Sequence, residues 1–580
     1  MKNKILALVL LFPLLLSGCG RQSAVITPVI QENQTAAGQH AVVTADGTVE
    51  GYSAAGYVQP GQIIAADLSI TDFTAQPTAA PAAEQPEVDS SSGSMEHGDV
   101  TLGIVVGGEA IVHPLNCTYT DLLNLNSLVF ESVVQLDKNL QPSPLLANRW
   151  YYSNGVWTFV LRPGIRFHNG ETLTAYDVVA SYQAAKANPD SYWYNILTPI
   201  NDMRAIDDLT LEVKSNGPKY MMLYAMTFPV VQQNTLEYAL PMGTGPYWYV
   251  GYEIGHSIRV EQNPLWWRRA SGAVSSVVAI CYRTTKAALT GMELGEIDAL
   301  ATDYPTAALY RSLEDRMTLD YSTNTYECIV PNLRDGILSD LNVRQAIMYA
   351  LDRTSLGDSV YAGMVQESEV PVIPGSWIYD PQSAIYDYSP ERALKILLDA
   401  GWDDTDGDGM LEKTVDGVTH PLRLNLITYD RGTTSTRTEA ANTIARQLKA
   451  VGFDIQVSVG SQAAVVKEMQ EGSFDLALCA FELNTIPYLQ FLLGSEGNCN
   501  YSRYSSSDMD GYIADSYKAE TAEEMREAMY AVQQLTVTDL PILGLFFRAG
   551  ILSMKQPLGG LSGMHQGHVL RGLATSQKTG

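Results

Sequence analysis

The sequence predicts an α/β protein built around a parallel sheet. Three observations carry the prediction. Between residues 422 and 481 the apolar pattern passes from alternation to helical spacing and back twice, which reads as strand, helix, strand, helix, strand. Gly401, Gly452 and Gly472 each stand just past an apolar helical stripe, where helices commonly stop. Hydrophobic residues are 46% of the 580 positions and charged residues 17%, so the composition is globular and can fill large cores.

Charge narrows the function. Lys plus Arg number 37 against 64 Asp plus Glu, a formal charge of −27. A chain this acidic cannot neutralise phosphates broadly, which excludes nucleic acid, and it excludes a basic membrane-surface patch. It leaves small ligands open, because net charge governs solubility and steering rather than chemistry.

Met1-Lys2-Asn3-Lys4 precedes an apolar run from Ile5 to Leu16. A run of about twelve residues is too short to span a bilayer as a helix. With its basic start it reads as a secretory signal. The run ends in Leu16-Ser17-Gly18-Cys19, which resembles the bacterial lipobox, whose cysteine is diacylated and becomes the new N-terminus. Residues 1–18 are therefore expected to be removed and Cys19 to be lipidated, anchoring the chain to the cell membrane. Removal takes two lysines and leaves a charge of −29. Residues 19–98 read as a solvated, self-repelling tether: positions 20–98 hold one basic residue, Arg21, nine acidic ones and no Trp. A hairpin is expected within Ala41–Ile70. Beyond the tether, Cys117, Cys281, Cys328, Cys479 and Cys499 are an odd number without CxxC spacing and read as buried thiols.

From Asp99 the chain turns globular. Thr101–Val106 reads as a buried strand, Asp121–Val133 as a helix and Trp157–Leu161 as a strand ended by the turn Arg162-Pro163-Gly164. Thr174 and Asp177 have capping-box spacing and open a helix to about Ala187. Val343, Ala346, Ile347, Ala350 and Leu351 share one helical face, hence core. Ser389-Pro390 starts a helix as N-cap and first residue. In the 422–481 stretch, Leu422–Leu426 and Phe453–Val459 alternate as strands, Ala441–Val451 is a helical stripe, a shorter helix runs to Gln470, and Phe474–Phe481 is an apolar strand. Ligands of parallel sheets bind beyond the carboxyl ends of the strands. Two loops lie there, Thr428–Arg431 and Glu482–Thr485, and both are expected to face a crevice, the alternative being solvated turns.

Several segments resemble the bacterial extracellular solute-binding proteins of the oligopeptide, dipeptide and nickel type. They are Leu140–Trp150, the run Trp157–Gly170 with Leu173–Val179, Gly243-Thr244-Gly245-Pro246-Tyr247, Asn263-Pro264-Leu265-Trp266-Trp267, Gly295–Asp298 and Val343–Ile347, in the family's order. The resemblance spans about residues 99–572. It implies a two-lobed periplasmic-binding-protein type II-like α/β fold with a ligand cleft between lobes, and no enzymatic activity. Lobe I would comprise 99–325, lobe II 326–538, with 539–580 returning to lobe I. It further implies capture of peptides by lobe closure, delivery to an ABC permease and its ATPase, and a monomer.

Relatives that bind peptides hold the extended backbone by strand-like hydrogen bonds, with side chains in roomy, wet pockets. An Asp just after the strand matching Phe474–Phe481 clamps the peptide's amino terminus in such relatives. This chain departs there: Phe481 stands where Trp is common, Glu482 follows, and Asn484 is near the clamp position. A neutral Asn cannot supply a charge-assisted bond to an ammonium. Glu482 could replace it only by pointing into the cleft. Other candidate ligand residues are Tyr119, Thr120, Tyr247, Trp377, Tyr429 and Tyr501. For Tyr247 and Tyr501 a packed tyrosine with a satisfied hydroxyl is an equal alternative. Trp266 and Trp267 read as core.

Asp404, Asp406 and Asp408, with Gly409, match the start of a calcium loop, with Glu412 at position nine, but Val415 replaces the bidentate Glu such a loop needs. Weak calcium is the only cofactor expected; a solvated acidic turn is the alternative. His565-x-x-His568 lacks a third ligand nearby. There is no HExxH, GxSxG or Walker loop. Besides a peptide receptor, the pattern leaves open a receptor for a nickel or other metal chelate or another small solute, a surface hydrolase, and an adhesin.

Overall fold

The computed structural model describes residues 42–43, 49–50, 100–107, 111–268, 272–334, 336–430 and 435–578. The signal, Cys19, nearly all of the tether and Arg431 lie outside the described residues. Of the expected hairpin, the backbone ladder Val42–Val43 with Val49–Glu50 is described.

An eleven-stranded sheet runs through the whole body. Its strands are β1 (Val100–Val105), β2 (Tyr247–Glu253), β3 (Ser257–Gln262), β4 (Ser276–Tyr282), β5 (Ala299–Thr302), β6 (Met317–Pro331), β7 (Arg423–Thr428), β8 (Asp454–Val459), β9 (Leu476–Glu482) and β10 (Leu543–Met554). The order is β2-β3-β4-β1-β5-β10-β6-β9-β7-β8, and Val365–Glu367 adds to β10 as the eleventh strand. The 422–481 expectation holds: β7 pairs in parallel with both β8 and β9. Helices α5 (Thr436–Lys449) and α6 (Gln462–Glu471) make the crossovers. β9 is apolar on both faces because it is buried along nearly its whole length, as strands with two covered faces are. Gly452 and Gly472 have φ of +94° and +75°, the left-handed geometry that ends a helix at little cost to glycine.

The earlier elements are as local chemistry dictates. Helix α1 spans Thr120–Val129, ending four residues before the expected limit, and Phe130 is its C-cap. Helix α2 (Ala175–Ala187) is opened by the predicted box, with the Thr174 amide donating to Asp177 Oδ2 at 2.9 Å. Helix α3 (Leu341–Ala350) buries the predicted face, and α4 (Pro390–Asp399) starts with the Ser389 hydroxyl accepting from the Arg392 amide at 3.4 Å. A separate antiparallel sheet, Ala147–Ser153, Val156–Leu161, Thr210–Ser215 and Ile200–Ala205 in that spatial order, packs under α2. The Gly-Thr-Gly of residues 243–245 has a steric cause: a Cβ at Gly243 or Gly245 would meet the Val129 carbonyl oxygen at 2.2 or 2.6 Å.

The two long strands carry the sheet across the body. β6 pairs with β10 through Met317–Ser322 and again through Tyr326–Ile329, and its last part, Thr325–Pro331, also pairs with β9. Register against β10 breaks between Ser322 and Tyr326. The five cysteines after the tether are free thiols, four of them buried. Among the described residues no helix is long and apolar enough to cross a membrane.

Candidate functional site

A cavity of about 520 Å³ opens beside the break in β6. Its walls are contributed by distant parts of the chain. Leu123 and Asn126 come from α1, Tyr192 and Tyr224 from the region following α2, and Pro371–Ile373 from the segment after α3. Asn484 and Tyr488 come from the loop after β9, and His565, His568 and Arg571 from the C-terminal segment. Asn324, inside the register break, is also part of the wall.

The break is stapled by polar groups. The Asn324 amide donates to Gln566 Oε1 at 3.0 Å and its carbonyl accepts from the Leu483 amide at 2.8 Å. Gln566 donates from Nε2 to Glu482 Oε1 at 2.9 Å, and Thr325 Oγ1 donates to Glu482 Oε2 at 3.0 Å. Both oxygens of Glu482 are therefore engaged by neutral donors where the sheet crosses between its halves. Glu482 is thus a half-buried group at the crossover, held by Gln566 and Thr325.

The rest of the wall is largely aliphatic and aromatic, with His565, His568, Arg268 and Arg571 among it. Burial holds His565 down to about 4 and His568 well below its ordinary value, with neighbouring positive charge adding to both, so both rings are neutral at pH 7. Their centroids are 4.8 Å apart. Burial likewise lowers Arg268 and Arg571, both on the wall. Tyr192 is pushed up to about 12, chiefly by burial and then by the Glu482 charge, while its hydroxyl hydrogen-bonds the Thr485 side chain. Glu131, 6% exposed, is clasped by Thr244 Oγ1 at 2.9 Å and by the indole N–H groups of Trp266 and Trp267 at 3.2 and 2.9 Å. Those contacts place both tryptophans in structural roles, though Trp266 also touches the cavity.

Of the residues singled out from sequence, Asn484 lies on the wall, and its Oδ1 accepts from the Ile486 amide at 3.2 Å. Trp377 stands one layer back, its indole N–H donating to the Tyr224 hydroxyl at 2.9 Å. The others pack elsewhere. Tyr247 is fully buried and donates to the Val274 carbonyl at 2.7 Å, the packed alternative. Tyr429 is fully buried under the Arg437 guanidinium, and Phe481 is fully buried within β9. Tyr501 is buried against the Cys499 thiol. Tyr119 donates to the Gly107 carbonyl at 3.0 Å, and Thr120 begins α1. The wall residues Tyr192, Tyr224, Tyr488 and Arg571 carried no sequence signal, and His565-x-x-His568 was visible only as a motif.

In the acidic turn, oxygens of Asp404, Asp406 and Glu412 lie within 4.8 Å of one another. Asp408 does not join that group, and its Oδ1 accepts from the Met410 amide. Asp404 accepts from the amides of Gly407 and Gly409, which alone accounts for the turn.

Residues 141–501 match the model of the bacterial extracellular solute-binding proteins, family 5. The oligopeptide-binding protein AppA of Bacillus subtilis is 23% identical over 500 residues, covering 81% of this chain and 90% of AppA. The periplasmic oligopeptide-binding protein OppA of Escherichia coli is 24% identical over 485 residues, covering 76% of this chain and 85% of OppA. Among solved structures, AppA of B. subtilis with a nonapeptide superposes with a TM-score of 0.57 at 20% identity, over 83% of this chain and 99% of that one. A nickel ABC transporter from Bacillus halodurans gives 0.70 at 18% identity, over 83% and 98%. The chain belongs to family 5 of the bacterial extracellular solute-binding proteins. It has their type II periplasmic-binding-protein fold, and it is a substrate-binding component of ABC importers rather than an enzyme, working outside the cytoplasm.

Proposed function

We propose that this chain is a lipid-anchored receptor that captures peptides between its two lobes and presents the closed form to an ABC permease and its ATPase. The observation that supports the reading is the cavity itself. It is bounded by residues from both sides of the β6 crossover and includes the loop Leu483–Leu489 beyond the carboxyl end of β9, where ligands of such sheets bind. Lobe closure follows from the ligand's extra affinity for the closed form. Cys19 would hold the molecule at the membrane through its lipid, and the tether would set its reach. Peptides that bind should raise the melting temperature of the purified protein by mass action. No shift from a broad peptide library sinks the peptide reading, and mass spectrometry of co-purifying solutes identifies what replaces it. Release of a Cys19→Ala variant into the medium tests the anchor.

A second reading, a metal chelate, is favoured by one observation: two neutral imidazoles, His565 and His568, side by side on the cavity wall. The arginines beside them disfavour a bare cation and suit a chelate whose own carboxylates offset the metal's charge. Loss of co-purifying metal on His568→Ala separates this reading from the first. The acidic turn at Asp404–Glu412 would take calcium only weakly, and melting curves with and without millimolar calcium test that.

A further inference from the structure

Two cysteines face each other inside the sheet. Cys328 of β6 and Cys479 of β9 are directly opposite partners in the antiparallel ladder, and both are fully buried. Their thiols hydrogen-bond to each other, so both side chains lean to the same face and meet. Directly opposed residues of such a pair hold their Cα atoms about 4.5–5.5 Å apart and their Cβ atoms at a similar spacing. A disulfide needs Cα atoms about 4.4–6.8 Å apart and Cβ atoms about 3.5–4.5 Å apart. A bond between the two asks for a small approach of the side chains and no change of register.

The other three thiols are engaged differently. Cys117 donates to the Pro114 carbonyl and Cys499 to the Tyr501 hydroxyl, each at 3.7 Å. Cys281, on β4, stands opposite Ile104 of β1. Among the described residues, Cys328 and Cys479 are the only cysteines that share a ladder position. The protein works outside the cytoplasm, where disulfides form and persist.

We propose that Cys328 and Cys479 are joined as a disulfide when the chain folds outside the cytoplasm, stapling β9 to β6. The oxidant is a thiol–disulfide donor. One cysteine thiolate attacks its S–S bond and expels the first donor thiol, and the second thiolate attacks the mixed disulfide and expels the other. The two cysteines give up two protons and two electrons, and the donor disulfide becomes two thiols. Burial, and then the Cys479 thiol beside it, raise Cys328 well above its ordinary value, so the folded sheet offers little thiolate and shields it from the donor. The bond therefore forms before β6 and β9 are covered. It lies three positions before Glu482 and fixes the strand that leads into the cavity loop Leu483–Leu489, whichever solute the cavity takes.

The full chain, exported from a bacterial cell and purified without reductant, is alkylated in denaturant, digested and mapped by mass spectrometry. A peptide linking Cys328 to Cys479 is expected, with Cys117, Cys281 and Cys499 alkylated. Melting in a thiol reductant should lower the wild-type transition by about 5–10 °C, because the bond closes a long loop. The double variant Cys328→Ala with Cys479→Ala should not respond to the reductant. Alkylation of both Cys328 and Cys479 in the exported protein overturns the proposal, and so does a link from either of them to another cysteine. A reductant shift in the double variant equal to that of wild type overturns it as well. The map is read on wild type, so the proposal stays open to refutation even where the double variant fails to fold.

Discussion

Arg437 clasps Glu327 with two hydrogen bonds, Nε to Oε2 at 3.2 Å and Nη2 to Oε1 at 2.9 Å, and both side chains are shut away from solvent. The pair ties the start of α5 to the second half of β6, and Arg548 of β10 approaches the same carboxylate at 3.7 Å. Removing one partner leaves the other as an unpaired buried charge. Glu327→Gln should cost about 3–5 kcal/mol in urea unfolding. Replacing both Glu327 and Arg437 by apolar residues of similar size should restore much of that loss, and a double variant no better than the single would show that the pair is not the cause.

Glu131 gathers three donors from Thr244, Trp266 and Trp267, and burial raises its pKa. Glu131→Gln turns one acceptor into a donor facing donors. The expected cost is about 1–3 kcal/mol, the price of a buried polar group without its partner. Thermal unfolding at neutral pH measures it, and an unaffected variant would contradict the clasp.

Acid should weaken the fold in a defined window. Burial holds His113, His168 and His565 at about 4, against 6.5 when unfolded, and holds His568 well below its ordinary value too. Between those values the unfolded chain binds more protons, so stability conferred above 6.5 is lost as pH falls towards 4. Asp121 works the other way: burial raises it to about 7 from 3.8, so its contribution is greatest at low pH and fades as pH rises. Three imidazoles held at about 4 outnumber the one carboxyl, Asp121, held at about 7. The melting temperature should drop between pH 6.5 and 4.5, and His168→Gln should flatten the profile relative to wild type. An identical slope in that variant would remove His168 from the account.

Asn484→Asp places a carboxylate on the cavity wall. If the site takes peptides, free-amine peptides should gain about tenfold in affinity relative to their N-acetylated forms, the strength of one charge-assisted bond. Calorimetry on matched pairs reads the ratio, and an unchanged ratio places the peptide amine elsewhere.

The legible parts of this molecule were those with local causes. The Thr174–Asp177 box, the Ser389-Pro390 helix start and the alternation through 422–481 act within a few residues, and each formed as its spacing required. The site was less legible. Tyr247 sits in a motif segment and Tyr429 and Phe481 at strand ends, yet these side chains, like Tyr501, fill the core. The cavity wall joins Asn126, Tyr224, Asn484 and His568, which only long-range packing brings together. Glu482 was a candidate only on condition that it points into the cleft, and its partner Gln566, 84 positions away, leaves no trace in the local pattern.

The placement of β10 has a consequence for how the protein is made. This strand, near the end of the chain, lies between β5 and β6, so both stay unpaired along that edge until Leu543–Met554 arrives. Neither half of the sheet can be completed until the last tenth of the chain has been made. A nonsense codon anywhere before residue 543 therefore deprives both halves of a shared strand, and such fragments carry exposed sheet edges that invite aggregation.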